Sequence, residues 1–337
     1  MTTSFIPLDQ FLADSVRKSG GTFRSETPRL GIAGNPRIGK QVPMYFVGRT
    51  LSDQEFSDYA QATSALGRQS AIQQLIEITR LNHSEYKKVL NRFSALFEED
   101  HAIDWATARD MIVEVNRHVL NFLSAMKTFL DHTQTRLDRQ FGKESSEFKQ
   151  FKAVEYAAFD HHFSYRFVSK LRNYTQHCGM PLGNISANVV QDDPPVGTVM
   201  HIIDFYFDRD SLLTNFSEWS RHVEPELKAM PPQFPISEHI DRTMECLEKI
   251  NAVVMANCET AIRESLGVVE ALLGEFEEPE GTPCVFTMLS ADTLSTSGKT
   301  IANMSLQRFH MQHVEGAKHI LTEIAKHKQV ESEEKST

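Results

Sequence analysis

The chain has 337 residues, of which 40% are hydrophobic and 24% charged, and its formal net charge at pH 7 is −10. These fractions lie near the averages of globular proteins, so we expect a packed core in one large domain or two modest ones. The negative net charge excludes a protein that coats nucleic acid non-specifically, because neutralising phosphates requires a basic surface. Any contact with RNA must therefore be made by a local basic site.

The cysteines and the N-terminal sequence indicate in which cellular compartment the protein is expected. The cysteines are Cys178, Cys246, Cys258 and Cys284. They are widely spaced and form no C-x-x-C pair, so neither a metal site nor a disulfide framework is predicted. The N-terminus lacks the basic start and apolar run of a secretory signal, and no stretch approaches the ~18 consecutive apolar residues of a membrane span. We therefore expect a cytoplasmic protein without a membrane segment.

Residues 1–50 are rich in glycine and proline, which punctuate short apolar runs such as 30–33 and 42–47. This pattern predicts a loop-rich N-terminal segment with one or two short strands. Within it, Gly34–Gln41 matches the spacing of a phosphate-binding loop. The position after Lys40 should be serine or threonine to ligate magnesium, and here it is Gln41. An ordinary turn-rich loop is the preferred interpretation, with nucleotide binding as the alternative.

Helical periodicity dominates residues 51–182, which we interpret as one helical bundle. Apolar residues recur three and four apart in four segments, and this spacing predicts helices over 53–80, 83–99, 104–140 and 144–178. The Phe141-Gly142-Lys143 break allows the fourth helix to fold back antiparallel on the third. The bundle is thus expected to contain a long helical hairpin.

Residues 183–328 predict a mixed region whose role the sequence does not reveal. Two strands around a turn are expected at 188–190 and 198–207, helices at 209–229 and 236–275, a strand pair at about 284–290 and 299–306, and a helix at 309–327. The charged tail 329–337 is expected to be disordered. The predicted fold class is mainly α, with small β-hairpin additions and a C-terminal helical region.

The fourth predicted helix, 144–178, carries the residues that point to chemistry. Ser145 and Ser146 offer an N-cap, while Gly179 and Pro181 form a stop signal. Polar residues recur along one side at steps of three, four and seven, which makes them surface neighbours. They are Glu155, His162, Arg166, Lys170, Asn173 and His177. The last histidine is therefore expected in the final helical turn.

Arg172 and His177 together supply the groups that RNA cleavage by its own 2′-hydroxyl requires. The histidine can transfer a proton near neutral pH, and the planar guanidinium suits phosphate oxygens. No metal is needed for this chemistry. On an ideal helix, however, the two positions lie roughly 140° apart around the axis and about 7.5 Å apart along it. A wrapped arginine, a distorted last turn or a second copy of the chain must bring them together.

The segment Arg172-Asn173-Tyr174-Thr175-Gln176-His177 resembles the signature of the HEPN superfamily, in which an arginine, a polar residue and a histidine lie at the end of a long helix. The resemblance covers residues 104–180 and implies an antiparallel helical bundle. Many HEPN proteins are dimeric, metal-independent endoribonucleases of toxin–antitoxin, abortive-infection or CRISPR-associated systems. It implies that Arg172 and His177 are catalytic and that Asn173 supports them.

The resulting hypothesis is a metal-independent RNA endonuclease without a cofactor. Arg166 and Lys170 are expected to guide the RNA backbone, and a homodimer is expected to complete the site. A role as a toxin or an anti-phage defence protein, with a neutralising protein partner, follows from the resemblance alone. The alternative is a non-catalytic helical sensor or scaffold, since HEPN folds also include binding modules and an arginine near a helix end commonly caps carbonyls.

Two histidine pairs are the candidate metal ligands of the sequence. His161 and His162 are adjacent, so on a helix they point about 100° apart and form a poor chelate. His310 and His313 share a face, but Glu315 is offset from it. We therefore interpret these histidines as surface or partly buried residues, and we expect no metal.

Overall fold

The computed structural model describes residues 3–34, 45–100, 104–191, 199–276, 281–293 and 300–334. The chain is mainly helical and carries antiparallel strands, as the sequence predicts. The helices are α1 (Leu8–Ser19), α2 (Asp53–Asp100), α3 (Trp105–Phe141), α4 (Ser146–His161), α5 (Phe163–His177), α6 (Arg209–Asn215), α7 (Glu224–Ala229), α8 (Ile236–Leu273) and α9 (Met311–Glu334). The strands are β1 (Ile6–Pro7), β2 (Thr22–Ser25), β3 (Arg29–Gly34), β4 (Tyr45–Thr50), β5 (Leu182–Gln191), β6 (Val199–Asp208), β7 (Gln233–Pro235), β8 (Gly281–Thr293) and β9 (Thr300–Arg308).

The chain divides into two compact units. The terminal unit consists of Met1–Ser70 and Cys258–Thr337, and the central unit of Ala71–Asn257. These boundaries differ from the predicted divisions near residues 50 and 182. The reason is long-range strand pairing, because β3 near the N-terminus hydrogen-bonds to β8 near the C-terminus. Among the described residues, no helix has both the length and the apolar character needed to cross a membrane.

The terminal unit is built on an antiparallel sheet. Its strands follow the order β1-β4-β3-β8-β2, and β9 pairs with β8, which confirms the predicted C-terminal strand pair. Helix α1 packs its buried Leu8, Leu12 and Val16 into the same core as Phe286 and Leu289 of β8. Residues 3–34 and 45–50 thus form a helix and four strands in place of the expected loop-rich segment, and residues 1–2 and 35–44 lie outside the described part.

The predicted helical hairpin is present in the central unit. Helix α3 ends at Gly142, whose φ of 84° is a left-handed value that glycine adopts without a Cβ clash. Ser145 then caps α4, because its side-chain oxygen accepts a hydrogen bond from the backbone N–H of Phe148. Both local signals act where the sequence places them. Helices α3, α4 and α5 contact one another and form the bundle that carries the candidate site.

The segment 144–178 forms two helices in place of the single one predicted. His162 lies between them with extended backbone (φ −125°, ψ 107°). The Arg166 side chain donates hydrogen bonds to the backbone carbonyls of Phe159 and Asp160. These carbonyls lie at the end of α4, where helical partners are lost, so the arginine replaces the missing donors. The break also ends the continuous polar side inferred from a single helix.

The central unit contains the second sheet of the protein, which packs on α5 through aromatic side chains. Strands β5, β6 and β7 pair in that order, which confirms the predicted hairpin, although its turn lies outside the described residues. Phe167 of α5 packs edge to face with Phe207 and stacks on Trp219, with ring centroids 5.2 and 5.6 Å apart. Trp219 is buried between α6 and α7, which replace the single helix expected over 209–229.

Two further helices are longer than the sequence suggests. Helix α2 is continuous over Asp53–Asp100, where two helices are predicted. Helix α9 continues to Glu334, so most of the tail expected to be disordered is helical, and residues 335–337 lie outside the described part. The polar composition of the tail suggested disorder, but its glutamate and glutamine residues are good helix formers and support continuation.

Candidate functional site

A cleft of about 380 Å³ opens between α3, α4 and α5 in the central unit. All three helices contribute to its lining, and the mixture of apolar, aromatic and basic side chains is typical of a binding site. Of the predicted site residues, Lys170, Arg172 and Asn173 line this cleft, and each is partly buried. The tertiary structure therefore brings three of the residues selected from the sequence to one place.

Two of the four cations in the cleft already have partners. Lys127 forms an ion pair with Asp131 at 2.6 Å, and Lys152 pairs with Glu155 across one turn of α4. By contrast, Lys170 and Arg172 form no ion pair with any residue in the described part of the chain. The positive charge available to a bound anion is thus concentrated on α5.

The Arg172 side chain is incompletely satisfied. Its Nε is shielded from water and has no hydrogen-bond partner among the described residues. A shielded donor of a charged group is costly when it is left unpaired, and native structures usually supply a partner. Because this atom is shielded in the structure, an anion in the cleft would contact the terminal guanidinium nitrogens, which have no hydrogen-bond partner among the described residues. Arg172 is therefore suited to hold a ligand, whereas an arginine that only capped the end of α5 would already be bonded.

His177 is exposed in the last turn of α5 and does not line the cleft. The N–H of Cys178 donates to the carbonyl of Tyr174 at 2.8 Å, which is the spacing of a regular α-helix. The final turn is therefore not distorted in a way that rotates His177 toward Arg172. Within one chain the structure does not bring the two predicted catalytic residues into one cleft.

Arg166, expected to guide the RNA backbone, is instead buried. Its exposed fraction is 8%, and its guanidinium forms an ion pair with Glu226 of α7 in addition to the two carbonyl contacts at the end of α4. Its Nε, like that of Arg172, has no hydrogen-bond partner among the described residues, but Arg166 does not line the cleft and phosphate bound there does not reach it. Arg166 is thus a structural residue in this fold, and Lys170 is the remaining candidate for backbone contact.

Of the part of the cleft formed by α4, the sequence pointed only to Glu155. Tyr156 is 59% exposed at the cleft, and the Nζ of Lys152 lies 5.0 Å from its ring centroid. Lys152, Glu155 and Tyr156 are three and four residues apart, so their shared face was visible in the sequence. What the spacing could not indicate was that this face turns toward Lys170 and Arg172.

The described residues give no support to the two alternative sites, the phosphate-loop-like segment and the histidine pairs. Residues 35–44, which hold most of the phosphate-loop-like segment, lie outside the described residues. His310 and His313 have ring centroids 5.1 Å apart. Across the described ranges, no group of three or more histidine, cysteine, aspartate or glutamate side chains is arranged to hold a metal ion.

No protein-family model matches the chain, and neither a curated protein nor a solved structure matches it significantly. Any functional interpretation therefore depends on the residues and the geometry described above. The chemistry most clearly available to this geometry is the binding of an anionic group by Arg172 and Lys170.

Proposed function

We propose that the protein is a metal-independent RNA endonuclease of the HEPN type, in which the cleft on α5 holds the scissile phosphate. The observation that carries this proposal is the position of Arg172, which lines a cleft beside Lys170 and Asn173 and forms no ion pair with the described residues. Its planar donors suit two phosphate oxygens, and Lys170 adds a point charge for the adjoining backbone. Asn173 can orient the phosphate or the ribose through its amide.

In the proposed reaction, the 2′-hydroxyl oxygen attacks the adjacent phosphorus and the bond from phosphorus to the 5′-oxygen breaks. The products are a 2′,3′-cyclic phosphate and a 5′-hydroxyl end. His177 takes the proton of the attacking hydroxyl or protonates the leaving oxygen, and water makes the other proton transfer. Arg172 stabilises the extra negative charge on the five-coordinate phosphorus. The reaction uses no metal or cofactor.

A second copy of the chain is proposed to complete the site. His177 is exposed at a regular helix end, while Arg172 points into the cleft of its own chain. An exposed histidine can enter the cleft of a symmetry-related copy, and two-fold symmetry then creates two equivalent sites. The role in toxin–antitoxin or anti-phage systems, with a neutralising protein partner, extends the same proposal.

A second candidate function is a non-catalytic module that binds RNA or another phosphate-bearing ligand. The observation in its favour is the position of His177 outside the cleft. In this case Arg172 and Lys170 bind phosphate, but no group transfers a proton. Binding without cleavage distinguishes this candidate from the nuclease.

The test is cleavage of a mixed-sequence RNA in the presence of EDTA. We expect Arg172→Ala and His177→Ala each to lower the rate by about 10²-fold or more, since proton transfer and charge stabilisation each contribute that much. Lys149→Ala is the matched control, because Lys149 is exposed on α4 and pairs with Glu144 away from the cleft. Activity that disappears in EDTA, or that survives both substitutions, contradicts the mechanism.

Mixing the two inactive variants tests the shared site. In a mixed dimer, one site lacks both groups and the other contains both. At equal amounts half of the dimers are mixed, so about a quarter of the wild-type activity should return. No recovery, despite demonstrated exchange of copies, contradicts a site shared between chains.

A further inference from the structure

A second cavity, of about 850 Å³, lies in the terminal unit and is separate from the proposed nuclease cleft. It is formed by the N-terminal segment, α1, the adjoining parts of β3 and β4, and the end of α8. The residues that matter for its chemistry are Phe11, Val47, Arg29, Arg49 and Glu275. A cavity with an apolar lining and a few charged groups is suited to a small organic molecule.

Arg29 is the charged group without a counter-ion. Its Nε is shielded from water and forms no hydrogen bond with the described residues, while its guanidinium carbon lies 5.0 Å from the centroid of the Phe11 ring. Burial lowers the pKa of Arg29, and no carboxylate raises it again. One face of the guanidinium is thus covered by the ring and its Nε is shielded, so the donors left for a ligand are those of the two terminal nitrogens.

The other charges in the cavity satisfy one another. Arg49 donates to both carboxylate oxygens of Glu275, at 2.8 and 2.6 Å, and to Glu55 at 2.7 Å. The hydroxyl of Thr3 also donates to Glu275. Because Glu275 already accepts these bonds, it is a poor site for a cationic ligand. The uncompensated charge that faces the cavity is therefore positive and belongs to Arg29.

A β-bulge shapes the wall of this cavity. Arg29 pairs with Thr50 and Gly31 pairs with Val47, so three steps along β4 match two along β3. The additional residue lies in the Gly48–Arg49 stretch, which lines the cavity. Bulges re-aim side chains at sheet edges and are frequent beside binding sites.

Gly48 brings the N-terminal segment close to this bulge. A Cβ at Gly48 would lie 2.8 Å from Phe5 Cε1 and 2.8 Å from Thr3 Cγ2, so glycine is what allows residues 3–5 to pack over the strand. The segment thereby walls one side of the cavity beside Arg29. Thr3, Ser4 and Arg29 thus line the same cavity, as the walls of a small-ligand site do.

We propose that this cavity binds a small organic anion, whose carboxylate or phosphate is held by Arg29 and whose apolar body lies along Phe11 and Val47. The planar donors of the guanidinium match the two oxygens of such a group. The apolar lining favours a flat hydrocarbon or aromatic body over a free inorganic ion. This site is independent of the proposed nuclease activity.

Isothermal titration calorimetry of the full chain tests the proposal with benzoate and phenyl phosphate as probes, and with benzyl alcohol as the uncharged control. We expect at least one anion to bind and benzyl alcohol to bind at least about tenfold more weakly, because it lacks the charge-assisted bonds. The tighter of the two anions identifies the head group. If neither anion binds, or if benzyl alcohol binds equally well, the proposal is overturned.

Two variants locate the binding. Arg29→Gln should weaken the bound anion at least about tenfold, whereas Arg24→Gln should not, because Arg24 is exposed on β2 and pairs with Glu26 outside the cavity. Ser4→Trp fills the cavity from an exposed position and should abolish binding even if Arg29→Gln fails to fold. Unchanged binding in the folded Ser4→Trp variant places the anion elsewhere and contradicts the proposal.

Discussion

Arg166 of α5 and Glu226 of α7 form an ion pair in which the arginine side chain is only 10% exposed. The same guanidinium donates to the backbone carbonyls of Phe159 and Asp160 at the end of α4. One side chain thus connects three helices at the point where the segment 144–178 breaks. This arrangement explains why Arg166 belongs to the fold and not to the proposed RNA surface.

Replacing Arg166 by leucine should lower the free energy of unfolding by about 1–3 kcal/mol, because two carbonyls and a carboxylate lose their donors. The measurement is urea unfolding followed by circular dichroism. Lys228→Gln is the control, since Lys228 forms an exposed pair with Glu224 on α7 and should change stability by less than about 0.5 kcal/mol. Similar small effects of both substitutions would show that the Arg166 network is not stabilising.

Gly31→Ala should destabilise the terminal unit by about 1–3 kcal/mol through overpacking. A Cβ at Gly31 would lie 2.1 Å from Cε2 of the buried Phe286 and 3.0 Å from the carbonyl oxygen of Phe46. The matched control is Gly267→Ala in α8, where a Cβ meets nothing within 4 Å and alanine should stabilise the helix by about 0.5–1 kcal/mol. Thermal unfolding of both variants measures whether each substitution lowers or raises the stability. A neutral Gly31→Ala would mean that Phe286 moves without cost.

Acid stability should depend on Arg49. Its hydrogen bond lowers the pKa of Glu55 from 4.5 to about 2 and also lowers the pKa of Glu275. A carboxylate whose pKa is depressed by folding stabilises the protein above its unfolded pKa, and this contribution is lost as pH falls from about 4.5 toward about 2. Arg49→Gln removes the largest cause of both pKa shifts, so the stability of this variant should fall less over this range than that of the wild type.

The expected difference in acid sensitivity is about 1 kcal/mol, because solvent screens the partly exposed Glu55 side chain. Urea unfolding at about pH 5.5 and about pH 3 measures it. Arg24→Gln removes an exposed ion pair in the same unit and serves as the control. An Arg49→Gln variant with the full acid sensitivity of the wild type would assign that sensitivity to other groups.

Lys170→Gln should weaken the binding of single-stranded RNA and reduce its dependence on salt. One lost phosphate contact lowers the slope of log K against log salt by about 0.7. Fluorescence anisotropy across a salt series measures this slope, in variants that keep Arg172 unchanged. Lys149→Gln provides a lysine of α4 outside the cleft, for which the slope should remain that of the wild type. Equal changes in both variants would indicate non-specific attraction.

Local signals predicted part of the fold well. The helix expected over 104–140 is Trp105–Phe141, and the signals at Gly142 and Ser145 mark the turn that follows it. Caps and turn residues act through their own backbone neighbours, so they can be identified without knowing the tertiary structure. The antiparallel hairpins β5–β6 and β8–β9 could also be predicted, because the two strands of each hairpin lie close together in the sequence.

Non-local contacts account for the main differences. Strand β3 pairs with β8, which comes from the opposite end of the chain. This pairing makes the N-terminal segment part of a sheet. The break at His162 involves Arg166 and its contact with Glu226, which lies 60 residues further along the chain. Periodicity reports how residues are arranged around one helix or strand, but not which distant element provides hydrogen-bond partners. These features therefore could not be predicted from spacing.

The candidate site also combines features that local spacing predicts with features that depend on distant contacts. Spacing and the stop signal were enough to place Arg172, Asn173 and His177 near the end of a helix and to predict that a regular helix separates the arginine from the histidine. That Arg172 and Asn173 face a cleft, and that His177 lies outside it, became visible with the packed helices. The physical reason is that helix geometry sets the angle between two side chains, whereas the packing of α3 and α4 against α5 decides which of them is covered.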